Sequence, residues 1–312
     1  MKKIFSAYAF ILSILFLISC SSGEKKTISL KLEKGKTYSL STHSEQNMTM
    51  TVMGFNQETK TVVDGDMQYA VLDINSDSSY NINCKYIGMK MLMDMGMMKI
   101  NSEDSNGTSK PMHDAMKLLK GFGFSMKVSP AGKVKELQGL DSLIEYLVKS
   151  ASSNDTVKTA SLKETWSKYF SPSKFAGSFE DMFMFIPNKA VAVGDSWEKT
   201  SENTLVFPMK MINKFKVKEL TADYILLKST TTIETGSNPT MEVSGAKMKF
   251  EMKGKQEGTV KLDVKTGWII ESEANMDISG EMQMDMSSIS KKPGMDFKLP
   301  FKMEMKTTNK GK

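Results

Sequence analysis

The amino-acid sequence predicts a strand-dominated α+β fold: a large curved antiparallel sheet, half-barrel-like, with a central helical insertion of about three helices packed on one face. Three observations predict it. Apolar and polar residues alternate along most of the chain, which is the period of a half-buried strand. Gly and Asp punctuate those runs as turns do. Near residues 139–186 the alternation gives way to helical spacing bounded by prolines.

Taken in order, Ile28, Leu30 and Leu32 fall on one face, with Lys31 and Glu33 on the other. Tyr38 and Leu40 repeat the pattern, and Met48, Met50 and Val52 continue it. Thr61-Val62-Val63 and Tyr69 to Ile74 read as strands parted by a turn at Asp64-Gly65-Asp66. Tyr80 to Met93 is one long strand, closed by Asp94 to Gly96. Pro111 to Leu119 reads as a short helix, and Phe122 to Val128 pairs with Lys133 to Leu137 across Ser129-Pro130-Ala131-Gly132.

The insertion opens at Gly139-Leu140-Asp141. Leu140, Leu143, Ile144, Leu147 and Val148 share one helical face, and Asp141 sits favourably in the first turn. Ser161 to Phe170 and Ser173 to Phe185 suggest two further helices, separated by Pro172 and ended by Pro187. Strands return as Trp197–Phe207, Met209–Leu220, Tyr224–Glu234, Thr240–Lys253 and Gly258–Val264. A turn at Thr266-Gly267 leads to Trp268–Met276, then Met282, Met284 and Met286, and a last strand from Phe297 to Met305.

Domain organisation follows from the first residues. Met1-Lys2-Lys3 is a short basic segment, and the apolar run Ile4 to Ile18 is shorter than the roughly 20 residues of a comfortable membrane span. It fits a signal-peptide core instead. Leu17-Ile18-Ser19-Cys20 then resembles the lipobox of bacterial lipoproteins; the alternative is an ordinary secretory signal ending in a chance cysteine. The resemblance implies a signal peptide over residues 1–19, cleavage before Cys20, and acylation of Cys20. Two or more acyl chains anchor a protein firmly where one does not. Residues 20–26 form a polar tether, and residues 27–312 a single strand-rich domain. Ser21 after the cysteine is similar to the Gram-negative pattern that proceeds to the cell outer membrane; a periplasm-facing orientation is expected there, with surface exposure as the alternative.

Composition bounds the function. Hydrophobic residues make up 40% and charged residues 25%, enough for a sizeable core under an ordinary surface. The net charge of +6 includes Lys2 and Lys3, and every basic residue among the 42 is lysine. Arginine is the preferred reader of bases and phosphates, so sequence-specific nucleic-acid recognition is disfavoured. With Cys20 acylated, Cys84 has no disulfide partner and reads as a buried, inert thiol.

No catalytic or metal pattern emerges. His43 and His113 lack spaced His or Cys partners, so no zinc pattern is present. There is no G-x-S-x-G elbow, H-E-x-x-H or phosphate loop. The S-x-x-K pattern recurs at Ser171/Lys174, Ser196/Lys199, Ser244/Lys247 and Ser288/Lys291, as chance allows in a lysine- and serine-rich chain. A non-enzymatic protein without a cofactor is expected.

The 28 methionines are the most distinctive feature. Met89, Met91, Met93, Met95 and Met97 alternate, as do Met282, Met284 and Met286, which places each set on one strand face. Three readings remain open. Methionine fills the core in place of Leu or Ile. Alternatively, Met89, Met91, Met93, Met282, Met284 and Met286 line an adaptable face for a lipid or other apolar ligand. Thioethers also suit Cu(I), but same-face residues along a strand lie about 7 Å apart, so a metal site needs convergence from neighbouring strands.

Two local patterns carry a family resemblance. Val128-Ser129-Pro130-Ala131-Gly132-Lys133-Val134-Lys135-Glu136-Leu137 leads to Gly139-Leu140-Asp141-Ser142-Leu143, and Ile186-Pro187 precedes Ala190-Val191-Ala192-Val193-Gly194-Asp195-Ser196-Trp197. With Leu30-Lys31-Leu32-Glu33-Lys34-Gly35-Lys36-Thr37-Tyr38, they resemble an uncharacterised family of Bacteroidota outer-membrane lipoproteins, a domain of unknown function. The resemblance covers nearly the whole mature chain and implies no activity. In outline the element order is similar to lipoprotein-carrier and mycobacterial lipid-binding lipoproteins, half-barrel sheets covered by helices. The expected function is binding of a hydrophobic ligand, or support of envelope lipid or lipoprotein handling. On that reading helix residues Leu143, Leu147, Phe179 and Phe183 cover the Met-bearing face. The alternative is an interaction lipoprotein with a solid Met-rich core.

Overall fold

The computed structural model describes residues 25–142, 144, 145, 148, 163, 172–203, 208–243, 246–285 and 296–312. Cys20, Leu143, Leu147, Met286, the signal segment and the Ser161–Phe170 helix therefore lie outside the described residues, Lys163 excepted.

Strands β1 (Thr37–Val52), β2 (Phe55–Ile74) and β3 (Tyr80–Asp94) form a long meander, with a short β4 (Lys99–Asn101) on β3. Helix α1 (Lys110–Leu119) and the hairpin β5 (Gly123–Val128) and β6 (Val134–Gln138) follow. Helix α2 (Pro172–Met182) precedes β7 (Ser196–Asn203), β8 (Met209–Leu220) and β9 (Tyr224–Thr235). The last strands are β10 (Thr240–Val243), β11 (Ala246–Asp263), β12 (Ile269–Asp285) and β13 (Asp296–Gly311). They form one antiparallel sheet of 13 strands, ordered β6-β5-β3-β2-β1-β13-β12-β11-β9-β8-β7, with β10 beside β11. The β1–β13 seam, from Leu40 opposite Gly311 to Met50 opposite Phe301, joins the two halves of the chain.

The edges β6 and β7 do not pair, so the sheet stays open. It rolls far enough that α2 touches both edges. The Glu180 carboxylate accepts the backbone N–H of Val134 at 2.9 Å, satisfying part of the β6 edge. Tight approach in the middle strands accompanies this curvature. A Cβ at Gly254 would lie 2.3 Å from the Asp277 carbonyl oxygen, and one at Gly258 2.2 Å from that of Glu273, so only glycine fits at either place.

Three expectations need correction. Ile28, Leu30 and Leu32 are buried but belong to no strand; the Leu30 and Lys31 N–H groups donate to Pro130 and Thr266 in the turns that cap the sheet. Asp64-Gly65-Asp66 is no turn, because Gly65 lies within β2 opposite Thr42 on one side and Met89 on the other. Lys253 and Gly258 belong to one unbroken β11, and the strand expected from Trp268 begins at Ile269 as β12 and continues without a break to Asp285. A turn with Gly194 at φ +93° launches β7, and Trp197 stacks on Phe215 at 5.9 Å.

Candidate functional site

The inward face carries two apolar clusters of different make-up. The first lies under α2 and is rich in rings and branched chains. Phe124, Phe175 and Phe179 meet at centroid distances of 5.2–5.8 Å, and Trp268 touches Tyr38, Tyr69 and Phe183. Such pairs add about 0.5–1.5 kcal/mol each beyond the area they bury. The Tyr80 hydroxyl donates to the Leu30 carbonyl at 2.9 Å, and Trp268 Nε1 to that of Ser39 at 3.2 Å, so these two polar tips are satisfied.

The second cluster comes from strands alone among the described residues. It contains Met209, Ile233, Phe250, Met252, Met276, Ile278, Met282, Leu299, Phe301 and Met303, with Met48, Met50, Met284 and Met305 packed on it. Neighbouring strands do bring methionines opposite one another: Met48 faces Met303, Met276 faces Met305, and Met248 faces Met284.

Between the clusters runs a polar band. Register places Thr42 opposite Asn309 and Asn309 opposite Ser272; further along, Gln256 faces Thr231 and Thr231 faces Asn213. Thr42 Oγ1 donates to Asn309 Oδ1 at 2.7 Å, Asn309 Nδ2 to Ser272 Oγ at 2.9 Å, and Thr231 Oγ1 to Asn213 Oδ1 at 2.7 Å. Asn213, Ser229 and Thr231 are buried.

Above this band lies a cavity of about 490 Å³. Phe175, Phe179, Met182, Met184 and Phe185 form one wall; Thr42, Asn309, Ser272, Asn213, Ser229 and Thr231 contribute the other. The size falls within the range of small-molecule sites, and so does the mixture of an apolar wall with a few polar groups. Asp181 lines the same space. Burial holds its carboxyl above the usual range, while the Ser201 hydroxyl acts in the opposite sense.

The methionines singled out from the sequence lie elsewhere. Met89, Met91 and Met93 are half-buried on β3, opposite Gly65, Val63 and Thr61. Met282 is buried in the strand-only cluster and Met284 is half-buried beside it, so neither set lines the cavity. Phe179 and Phe183 pack in the aromatic cluster. The band and Asp181 were missed, although a signal existed. In Met209, Met211, Asn213, Phe215 and Val217 one polar residue interrupts an inward row, and Ser229 and Thr231 interrupt Ile225, Leu227 and Ile233.

Other reactive groups are occupied. His43 Nδ1 lies 2.7 Å from Asp64 and Nε2 3.3 Å from Glu45; those hydrogen bonds, Asp64 first, raise its pKa. His113 Nδ1 lies 2.9 Å from the Ser102 carbonyl oxygen, while Asp114 pairs with Lys110 at 2.7 Å. Burial pushes the Cys84 thiol well up, as expected of an inert core cysteine. Among the described residues no group of three or more His, Cys, Asp or Glu is arranged to hold a metal, and no helix is long and apolar enough to cross a membrane.

No curated protein matches the chain in sequence. Among solved structures it is similar to one of lipid–protein interactions in lipovitellin, at 8% identity and a TM-score of 0.49, over 90% of this chain and 25% of that one. The chain thus spans a quarter of the length of that structure. An outer membrane channel from Pseudomonas putida F1 matches at 7% identity and a TM-score of 0.23, over 91% and 97% of the two chains. OccK7 of Pseudomonas aeruginosa matches at 6% identity and a TM-score of 0.17, over 88% and 98%. Residues 77–269 match the family of unknown function DUF6263, and the chain belongs to that family.

Proposed function

We propose that this chain is a membrane-anchored, non-enzymatic binding protein whose ligand is largely apolar and sits between α2 and the inward face of the sheet. The cavity of about 490 Å³ carries the reading, because a wall of Phe and Met faces a fixed row of hydrogen-bonding groups. The apolar wall supplies affinity by excluding water, and the band orients whatever polar end the ligand has. The lipobox-like Leu17-Ile18-Ser19-Cys20 supports anchoring through an acylated Cys20 in the outer membrane, where lipid or lipoprotein handling is the fitting role.

Native mass spectrometry of the purified chain tests the binding reading. An adduct of alkyl mass that is displaced by added decanol is expected, and Ala274→Phe, which fills the cavity from β12, should abolish it. A bare protein mass that decanol does not change would overturn it and favour an interaction protein with a solid core. That second reading draws on the close-packed strand-only cluster, in which Phe250, Met282 and Leu299 adjoin across three strands. Anchoring is tested separately: Cys20→Ala should move the protein from the membrane to the soluble fraction.

A further inference from the structure

Asp181 lies in the last turn of α2 at a wall shared by two cavities. One is the large cavity over the polar band; the other, of about 260 Å³, is lined by Lys133, Glu180, Lys199 and Glu202. The nearby cations are committed elsewhere. Lys133 Nζ pairs with Glu180 at 2.7 Å, and Lys199 Nζ donates to Asn188 Oδ1 at 3.0 Å. The other carboxylate lining the large cavity, Glu273, pairs with Lys306 at 2.9 Å. Asp181 has no ion-pair partner among the described residues. Nor does any lysine or histidine among them line the large cavity, in a chain with 42 basic residues.

A carboxylate drawn partly out of water without a cation is costly, and a charge-assisted hydrogen bond from an ammonium relieves that cost. An anionic head group in the same place would add like-charge repulsion instead. The geometry is therefore selective by charge as well as by polarity. We propose that Asp181 is the head-group site of the large cavity, which takes an amphiphile bearing a protonated amine. The alkyl part lies against Phe175, Phe179 and Met182, and the ammonium pairs with the Asp181 carboxylate at the wall between the cavities. This rests on the reading that the large cavity binds an apolar ligand.

Titration calorimetry of the purified chain with decylamine, decanol and decanoate, one chain length with three heads, tests it. Decylamine is expected to bind at least tenfold more tightly than decanoate at neutral pH. Asp181→Asn should remove that preference. The ranking in the unaltered protein needs no variant and stands even where Asp181→Asn fails to fold. Decanoate binding as tightly as decylamine, or a preference that survives in Asp181→Asn, overturns the head-group assignment and leaves the apolar site standing. Failure of all three to bind overturns both.

Discussion

The helix-covered part of the inward face is built from rings and branched chains, whereas the strand-only part is built from thioethers. Under α2, Phe124, Phe175 and Phe179 meet one another, and Trp268 meets Tyr69, edge-on or tilted, and the cavity opens beside them. In the strand-only part Met252, Met276, Met282 and Met303 pack between Phe250, Ile278 and Phe301. Rigid side chains hold a space open because few rotamers can collapse into it. Flexible ones fill whatever gap the strands leave. In the strand-only cluster methionine therefore fills, and the cavity lies where methionine is outnumbered.

Four measurements break or sharpen the contrast. The largest effect is expected from Phe183→Ala, which empties a site 2% exposed beside Trp268 and should cost about 3–5 kcal/mol in chemical denaturation. A rigid neighbourhood cannot collapse to refill it. Thr231→Val removes the donor to Asn213 in the buried band and is expected to cost about 1–3 kcal/mol, with a change in ligand affinity. In the strand-only cluster Met282→Leu conserves volume and should cost less than about 1.5 kcal/mol; a loss as large as that of Phe183→Ala would erase the distinction.

The smallest effect lies on the exposed surface. The pKa of His43 is raised above its unfolded value of about 6.5 by Asp64 and then Glu45. Its contribution is thus complete below about pH 6.5 and lost as pH rises through the folded pKa. Both partners are exposed, so the pair is worth under about 1 kcal/mol. An NMR titration of His43 in Asp64→Asn should move its pKa back toward the unfolded value.

Much of the fold was legible because inward and outward residues alternate so regularly. Met209–Leu220 coincides with β8, and Pro111–Leu119 falls one residue inside α1. What misled was local turn chemistry. Asp64-Gly65-Asp66 has turn-forming residues, but β1 and β3 pair along both sides of it, and long-range hydrogen bonds override the local preference. The site was less legible for a related reason. Period two assigns Met89 and Met282 to faces, but not to the stretch of that face that a helix roofs. That depends on α2 reaching both sheet edges, a contact between segments far apart in sequence. Nothing in the helical pattern of Ser173 to Phe185 marks Asp181; its lack of an ion-pair partner among the described residues exists only in three dimensions.

Gly258 separates the strand frame of the cavity from its chemistry. It sits opposite Ala274 and Ser229, both on the cavity wall, yet what it fixes is the closeness of β11 to the β12 backbone. The strand spacing within the sheet wall is accordingly set by main-chain contact, while the chemistry met inside is set by side chains that can be exchanged without disturbing it. Exchanging Ala274 or Ser229 while Gly258 is kept is thus expected to alter the polarity of the cavity and leave the strand frame beneath it in place. Frame, in this architecture, belongs to the backbone, and polarity to the side chains.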